Sequence, residues 1–506
     1  MSKSRRLCTY QQFYIYLWVQ NVFKFMNMKK ILLICISLLL TISMQSQVTK
    51  TAAAGVNNWN NASSWSPSGV PASNDNILVP SGAKMKVNVT GVTIDYFTIS
   101  GGGELEVNNS MSVTGGSASQ VTGSSSTLSL KENMTINGTS TVTVGSGSSV
   151  TLTSGKQLIL SNSSSTLTNN GTITLNSSSS AFSSLLLRGD YDDNSTGNVT
   201  YARYVSGVSN DWDLIGSPMV GVTSNMIIAQ SNLATQGSDY AIGTFDNTTG
   251  ANGTWSTFDS DDSFSEGQLE SGKGFQMASI LTGATLNFQG TPLDGNATFA
   301  ITEGDSDGDA AGATGSRWNL VANPYPAYIS VNSNAAGAAT HGNDYVLKAT
   351  NLNLLHANNQ AVYVWGGDTP GFTTINAASS AANAVIAPGQ GFFVGGNHTN
   401  SGDLTFNINM MTEDGSDDGI SGDVMNDDRA ELFVNLFQNE YNRVTQLYFL
   451  DNTSDSYEPS YDAGSIGFNY PSISTRLVEG DQGVDLDIQS LAYSEMWDKV
   501  IPLGIN

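Results

Sequence analysis

Residues 127–175, TLSLKENMTINGTSTVTVGSGSSVTLTSGKQLILSNSSSTLTNNGTITL, decide the fold. Pairs of apolar residues, such as Leu128/Leu130, Val142/Val144 and Ile173/Leu175, bracket one residue that is usually Ser or Thr. This alternation is typical of a strand with one buried face. Because each short strand cannot bury its apolar face alone, stacking is needed, and the pattern predicts a β-solenoid. A β-sandwich made of the same hairpins is the alternative.

The same pattern extends toward the N-terminus through Leu105/Val107 and Met111/Val113, with Gly, Asn and Ser filling the gaps. We expect the solenoid to occupy residues 48–187. Its charged residues between 101 and 187 are few: Glu104, Glu106, Lys131, Glu132 and Lys156. Polysaccharide lyases and hydrolases need clustered acids or a metal-bound base, so we expect a non-catalytic solenoid. Glu104 and Glu106 are interpreted as solvated surface.

Composition restricts the classes of partner. The 506-residue chain has a formal net charge of −24, and only 13% of its residues are charged. Binding to nucleic acid or to an anionic membrane requires clustered Lys and Arg, which this balance disfavours. The acidic balance suits a soluble protein in salty or calcium-bearing surroundings.

The N-terminus reads as an export signal. Lys29 and Lys30 precede an apolar run over 31–42, long enough for a signal peptide and too short to span a bilayer. We expect residues 1–47 to be a leader and signal peptide, with the mature chain beginning near Gln47 or Val48. A start at Met26 or Met28 would give an ordinary signal peptide, so residues 1–25 are interpreted as a wrongly assigned start, and a genuine long leader is the alternative. The chain's two cysteines, Cys8 and Cys35, lie in that leader, so the mature chain would have no disulfide and no thiol nucleophile. We expect no transmembrane segment after signal removal.

The segment after the leader contains Trp59 and Trp65. Flat aromatic faces pack on pyranose rings, so the two indoles are candidate ligand-binding residues. The alternative is a cap that covers the open end of the solenoid and buries both rings.

A duplication with a period of about 110 residues follows the solenoid. WDLIGSP (212–218) matches WNLVANP (318–324), and YAIGTF (240–245), leading to Trp255, matches AVYVW (361–365). LESGKGF (269–275) matches IAPGQGF (386–392), and TLNF (285–288) matches DLTF (403–406). We expect two β-sandwich-like lobes, over 188–302 and 303–412, or one two-lobed β domain that the copies share. The Gly-Lys-Gly sequence lacks P-loop spacing and is interpreted as a turn entering a strand.

Trp255 and Trp365 occupy related places in the two copies. They are candidate anchors for a ligand, and the alternative is that they are core residues of each lobe.

Two acidic stretches follow the lobes. Asp305, Asp307 and Asp309 alternate in EGDSDGDAAG, and alternating carboxylates can bind calcium, although the EF-hand spacing is not met. The alternative is a solvated linker. The second stretch, over 413–430, is interpreted as an acidic linker before a partial β segment at 431–506. We expect no other cofactor.

Catalytic motifs are scarce. The histidines, His341, His356 and His398, show no metal-binding spacing, and no nucleophile elbow is present. Distant carboxylates could still form a pair, so a polysaccharide-active hydrolase or lyase with a β-solenoid stays open as the alternative to a non-catalytic module.

Short segments along the whole mature chain carry a family resemblance. They are LFVNL (432–436), SDSY (454–457), YDAG (461–464), LDIQ (486–489) and VIPLG (500–504), with RY (203–204), 212–218, 318–326 and the opening 59–82. They resemble secreted Bacteroidota (flavobacterial) cargo of the type IX secretion system, in the region upstream of a C-terminal sorting domain.

The resemblance implies a surface or adhesin-like module that meets the secretion machinery through its sorting domain. That domain is missing here, so we expect a fragment of a longer chain. Its location would be secreted or on the outer cell surface, with the periplasm as the alternative for a chain that ends at Asn506. The ligand would be an extracellular glycan or a surface protein.

Overall fold

Short strands rich in Ser and Thr stack in parallel in the first part of the described chain. The computed structural model describes residues 47–207, 212–259, 267–280, 283–304, 315–335, 344–365, 371–379, 384–413, 415, 429–438, 441–451, 453–467 and 471–506. The positions of Asp305, Asp307 and Asp309, most of the leader and most of the 413–430 linker lie outside the described residues.

The stacked region contains β1 (Thr49–Ala52), β2 (Gly55–Asn58), β3 (Trp65–Ser66), β4 (Asn76–Val79), β5 (Ala83–Val87), β6 (Val92–Ile94), β7 (Phe97–Ser100), β8 (Glu104–Val107), β9 (Met111–Val113), β10 (Ser119–Thr122), β11 (Thr127–Leu130), β12 (Met134–Ile136), β13 (Thr141–Val144), β14 (Ser149–Leu152), β15 (Gln157–Leu160), β16 (Thr166–Asn169), β17 (Thr172–Ser178), β18 (Ala181–Phe182), β19 (Ser184–Leu187), β20 (Asp190–Tyr191) and β21 (Asn198–Val205). A 3₁₀ helix spans Ala62–Ser64.

These strands form a β-solenoid, as the sequence predicts. Seven of them stack in parallel in one sheet, from β1 to β20, seven in a second, from β2 to β21, and five in a third, from β6 to β19. Residues on alternate positions, such as Leu128, Val150 and Ile173, align across the rungs and are fully buried. The intervening Ser and Thr point outward, which is why each rung needs its neighbours to cover its apolar residues.

The solenoid ends later than the sequence indicates. The predicted boundary at residue 187 is wrong, because β20 and β21 continue the parallel stacks on β16 and β17. Tyr201 and Val205 on β21 are fully buried in the solenoid core. The boundary was misplaced because charged and aromatic residues enter the sequence at Arg188, before the alternation stops.

The first copy of the duplication contains β22 (Asp213–Ile215), α1 (Ser224–Ile228), β23 (Thr235–Gln236), β24 (Asp239–Asp246), β25 (Thr254–Asp259), β26 (Phe275–Met277) and β27 (Ala284–Gly290). The second contains β28 (Ala297–Ile301), β29 (Trp318–Ala322), β30 (Tyr328–Ser330), α2 (Ala349–Leu352), β31 (Val362–Trp365), β32 (Phe372–Ile375), β33 (Val385–Ile386), β34 (Gly391–Gly395), β35 (Gly402–Phe406) and β36 (Met411–Thr412), with 3₁₀ helices at Ala357–Asn359 and Ile408–Met410.

The two copies have the same topology. The first has a sheet in the order β22-β26-β24, with β25 beside β24, and the second has the order β29-β34-β31-β32. In each case the first strand after the sheet pairs antiparallel with the last strand before it, β27 with β21 of the solenoid and β35 with β28. Since β28 pairs within the second copy, that copy begins at β28 and not at residue 303.

A reciprocal backbone seam joins the two copies. The Gly216 amide donates to the Gly389 carbonyl at 2.9 Å, and the Ala322 amide donates to the Gly272 carbonyl at 2.9 Å. The motif WDLIGSP of one copy thus meets Gly-Gln-Gly of the other, while WNLVANP meets Gly-Lys-Gly. Reciprocal contact of equivalent segments is the mark of a local twofold arrangement. The Gly-Lys-Gly sequence is therefore structural.

The C-terminal segment contains β37 (Ala430–Gln438), β38 (Tyr441–Leu450), β39 (Ala463–Gly464), β40 (Ile473–Thr475), β41 (Leu486–Ala492) and β42 (Leu503–Ile505), with a 3₁₀ helix at Tyr493–Asp498. The sheet order is β37-β38-β41-β40-β42, and β39 pairs with β41. The segment packs on the second copy, where Tyr363, Phe393, Tyr448 and Ile488 share one hydrophobic cluster.

Buried arginines tie the solenoid to the second copy. The Arg188 Nη1 donates to the Ile408 carbonyl at 2.5 Å, and the Arg203 Nε donates to the Pro388 carbonyl at 3.0 Å. Burial lowers the pKa of Arg188 to about 10, against a smaller opposing effect of Glu413. In the described part of the chain no helix has the length and apolar character needed to cross a bilayer.

Candidate functional site

An aromatic pair lies on the β24–β25 hairpin of the first copy. Phe245 and Trp255 are direct cross-strand partners, and their ring centroids are 5.0 Å apart with the planes at 62°. Gly253, with a φ of +71°, makes the turn, and a Cβ there would overlap the Phe245 ring. The turn glycine thus allows the Phe245 ring to lie beside Trp255.

The second copy carries an equivalent pair. Trp365 and Phe372 are cross-strand partners on β31 and β32, with ring centroids 4.9 Å apart. In the first copy Gly243 pairs with Gln276, and in the second copy Tyr363 pairs with Phe393. Gly243 and Tyr363 are therefore equivalent positions. Two residues after each of them stand Phe245 and Trp365, which are thus counterparts. Phe372 then corresponds to Trp255. The sequence comparison placed Trp255 and Trp365 in related positions, whereas the structure makes each the partner of a phenylalanine.

Phe393 brings the two pairs together. Its ring centroid lies 4.9 Å from that of Phe245, 6.2 Å from that of Trp255 and 5.9 Å from that of Phe372. All three contacts are edge-on, the geometry that aromatic quadrupoles favour. We call the set Phe245, Trp255, Trp365, Phe372 and Phe393 the aromatic platform.

The platform has a buried ring on one side and an exposed ring on the other. Phe393 is 1% exposed and belongs to the core that joins the second copy to the C-terminal segment, whereas Trp255 is 41% exposed on strand β25. Phe245, Trp365 and Phe372 are half-buried. A rigid base with one exposed indole is an arrangement that ligand-binding surfaces use, because little side-chain entropy is lost on binding.

A cleft opens beside the platform and shares Phe372 with it. The cleft is small, with a cavity volume of about 30 Å³, and it opens to solvent. Its lining comes from the second copy and from the C-terminal segment: Phe372, Arg443, Val444, Ser465, Ile466, Gly467, Ser472, Ile473 and Asp487. We call it the Asp487 cleft.

Asp487 is the acidic group of the cleft. Its Oδ2 accepts a hydrogen bond from the Thr374 hydroxyl at 2.9 Å. Burial raises the pKa of Asp487 to about 6, and hydrogen bonds from Ser465 and Thr374, together with the charge of Arg443, oppose that rise. The carboxylate is therefore ionised at neutral pH and close to its titration range.

Trp59 and Trp65 are core residues. They are 2% and 3% exposed, their rings meet edge-on at 5.0 Å, and the Trp65 Nε1 donates to the Trp59 carbonyl at 2.9 Å. A sugar-stacking role for this pair is wrong, because neither indole presents a face to solvent. The rings fill the first turns of the solenoid, where the exposed end of the stack would otherwise leave the core open.

Glu106 also differs from expectation. Glu104 and Glu106 were interpreted as solvated surface, yet Glu106 is 6% exposed. It lies 2.8 Å from the Lys84 Nζ and 3.3 Å from the Lys131 Nζ. Register places these residues on adjacent rungs, so the charges form a ladder across the sheet.

The remaining candidates do not gather around the platform. The His356 Nδ1 accepts from the Asn358 amide, and the His398 Nδ1 lies 3.8 Å from the Glu303 carboxylate. His341 lies outside the described residues. No group of three or more His, Cys, Asp or Glu side chains suited to a metal ion occurs where the structure describes the chain.

Sequence reasoning missed Phe245, Phe372, Phe393, Arg443 and Asp487. Phe245 stood at the end of a recognised repeat segment, so strand pairing within the repeat could have identified it. Phe372 follows a loop of different length in the second copy. Arg443 and Asp487 come from a segment without a counterpart in the repeat, and nothing in their local sequence sets them apart.

Comparison with known proteins places the chain in a protein family. Residues 120–506 match the family model described as Domain of unknown function (DUF8693). No curated protein and no solved structure matches the chain. The matched region begins in β10 and includes both copies, the platform and the Asp487 cleft, while Trp59 and Trp65 lie before it. Since the match spans more than half of the sequence, the chain belongs to the DUF8693 family.

Proposed function

We propose that this protein is a non-catalytic module that binds an extracellular glycan, and that the aromatic platform is its binding surface. The observation that carries the proposal is the exposed Trp255, which contacts the rings of Phe245 and the buried Phe393. The apolar face of a pyranose can pack on such a surface, and a rigid aromatic anchor binds with little entropic cost.

We further propose export to the outer cell surface or the medium. Support comes from the basic and apolar leader, from the acidic composition, and from the resemblance to type IX secretion cargo.

The proposal that the module is not an enzyme rests on the scarcity of catalytic motifs. Incubation of the protein with a panel of polysaccharides, followed by measurement of reducing ends, tests this part. We expect retention of the polysaccharide without release of product. Steady formation of reducing ends that scales with protein concentration would instead assign the chain to the hydrolases or lyases.

Affinity electrophoresis through gels that contain neutral, anionic or cationic polysaccharides tests the binding surface. We expect wild-type protein to be retarded by at least one gel, and Trp255→Ala to lose most of that retardation. Trp497→Ala is the matched control, because Trp497 is 86% exposed and lies in the Tyr493–Asp498 helix. Equal retardation of both variants and wild type would remove the platform from the binding surface.

A further inference from the structure

The Asp487 cleft and the aromatic platform are adjacent, because Phe372 belongs to both. The Phe372 ring lies 4.9 Å from Trp365 and 5.9 Å from Phe393, and the same residue lines the cleft. A ligand that stacks on the rings next to Phe372 would therefore lie beside the polar groups of the cleft.

A chain of hydrogen bonds from the second copy and from β38 holds the Asp487 carboxylate in place. Thr374, on β32 of the second copy, donates to Asp487 through its hydroxyl and accepts from the Gln446 Nε2 through its carbonyl at 3.0 Å. Gln446 in turn accepts from the Tyr448 hydroxyl at 2.5 Å. The carboxylate is thus oriented by a chain of hydrogen bonds, as preorganised sites require.

Arg443 is confined as well. Gly371 lies against it, since a Cβ built on Gly371 would be 2.6 Å from the Asn442 carbonyl oxygen and 3.5 Å from the Arg443 Nη1. Because Gly371 has no side chain, the backbone of β38 and the Arg443 guanidinium can lie close to the start of β32. A cation and a carboxylate therefore line one cleft, with the hydroxyl-bearing Ser465 and Ser472 beside them.

We infer that the Asp487 cleft is the polar half of the binding site and takes the neighbouring hydroxyls of an uncharged pyranose that stacks on the platform. This inference rests on the proposed glycan-binding function. One sugar hydroxyl can donate to the carboxylate while the next accepts from the guanidinium, and both bonds are charge-assisted.

Charge selects the uncharged sugar over its ionic relatives. The charges of Arg443 and Asp487 cancel, so a neutral pair of hydroxyls can hydrogen-bond to both groups without adding a net charge. Because the guanidinium and the carboxylate line the same cleft, an added carboxylate or ammonium would lie near a group of like charge whichever way the sugar is oriented. That repulsion opposes binding of a charged sugar, whereas a neutral diol meets no such repulsion.

Isothermal titration calorimetry of the full chain tests the inference with three oligosaccharide sets: neutral gluco- and manno-oligosaccharides, oligogalacturonates and chitosan oligomers. The variants are Asp487→Asn and Arg443→Met. Asp485→Asn and Arg476→Met are the matched controls, because this neighbouring pair, 2.9 Å apart, is outside the cleft lining. Circular dichroism verifies that each variant is folded.

We expect a neutral oligosaccharide to bind, and each cleft variant to weaken it by about tenfold or more, because each variant removes one charge-assisted hydrogen bond. The controls should match wild type. Binding that Trp255→Ala abolishes but both cleft variants retain would overturn the cleft assignment and leave the platform intact. Preference for the anionic or cationic set would overturn the uncharged assignment, and absence of all binding would overturn both proposals.

Discussion

Glu106 shows how a single residue sets the pH response of the solenoid. Its Oε1 accepts from the Asn108 side chain at 2.9 Å, and Lys84 and Lys131 lie beside it. The hydrogen bond from Lys84 is the main reason that the pKa of Glu106 falls to about 2 from 4.5, although burial acts in the opposite direction. A carboxyl with a lowered folded-state pKa stabilises the fold above its unfolded pKa, and this stabilisation is lost as pH falls through the folded value.

We therefore predict that Glu106→Gln lowers the free energy of unfolding at pH 7 by about 1–2 kcal/mol, and that its difference from wild type vanishes near pH 2. Urea denaturation at a series of pH values measures this. Glu132→Gln is the control, since Glu132 forms its 2.9 Å pair with Lys156 at a more exposed position. A pH-independent loss in Glu106→Gln would contradict an electrostatic origin.

The seam between the two copies is the element that positions the platform. The backbones of the two copies approach so closely here that there is no room for a side chain at some positions. At Gly274, for example, a Cβ would lie 2.5 Å from the Leu320 Cγ. The Gly274 amide donates to the Leu320 carbonyl at 3.1 Å. Gly391 of the second copy shows the same close approach, since a Cβ there would lie 2.7 Å from the Leu214 carbonyl carbon. Phe275 and Phe392 follow these two glycines directly into β26 and β34.

We predict that Gly274→Ala lowers the free energy of unfolding by about 2–3 kcal/mol, because an added methyl group overpacks the seam. Gly295→Ala should change it by less than about 0.5 kcal/mol, since nothing lies within 4 Å of a Cβ there. Thermal and urea denaturation of the two variants provide the comparison. Equal effects would mean that the seam adapts to a side chain.

Period-2 alternation made the solenoid predictable, because every rung repeats the same local pattern. The duplication was predictable for the same reason, as its motifs lie in the same order twice. The extension through β21, the pairing of β28 with β35 and the aromatic platform were not predictable. They depend on register between strands far apart in sequence, for example Tyr201 with Phe288, which no local pattern records.

At the largest scale, the residues from Thr49 to Asn506 form one compact unit. Ile159 and Leu186 of the solenoid belong to the hydrophobic core of the second copy. Arg203 is 1% exposed, donates to Pro388 and lies 4.9 Å from the centre of the Phe182 ring. Removal of the second copy would take the apolar packing from Ile159 and Leu186 and the Pro388 acceptor from Arg203, at a cost of several kcal/mol by general experience with buried charges.

We predict that the solenoid and both copies unfold in a single cooperative transition. Near-ultraviolet and far-ultraviolet circular dichroism should give the same midpoint on thermal denaturation. Arg203→Met, which keeps the side-chain length and loses the hydrogen bond, should lower that common midpoint. Two separate transitions, with the solenoid persisting after the copies unfold, would contradict this coupling.

Fluorine NMR of protein labelled with 5-fluorotryptophan tests the central claim most directly, because it reports on each indole separately during titration with an oligosaccharide. Trp→Phe variants assign the resonances. We predict that the Trp255 resonance shifts most, with a smaller shift at Trp365, while the buried Trp59 and Trp65 and the exposed Trp497 stay unchanged. Saturable shifts at Trp497 alone, or no shift at Trp255 under conditions where the oligosaccharide binds, would contradict the aromatic platform as the glycan-binding surface.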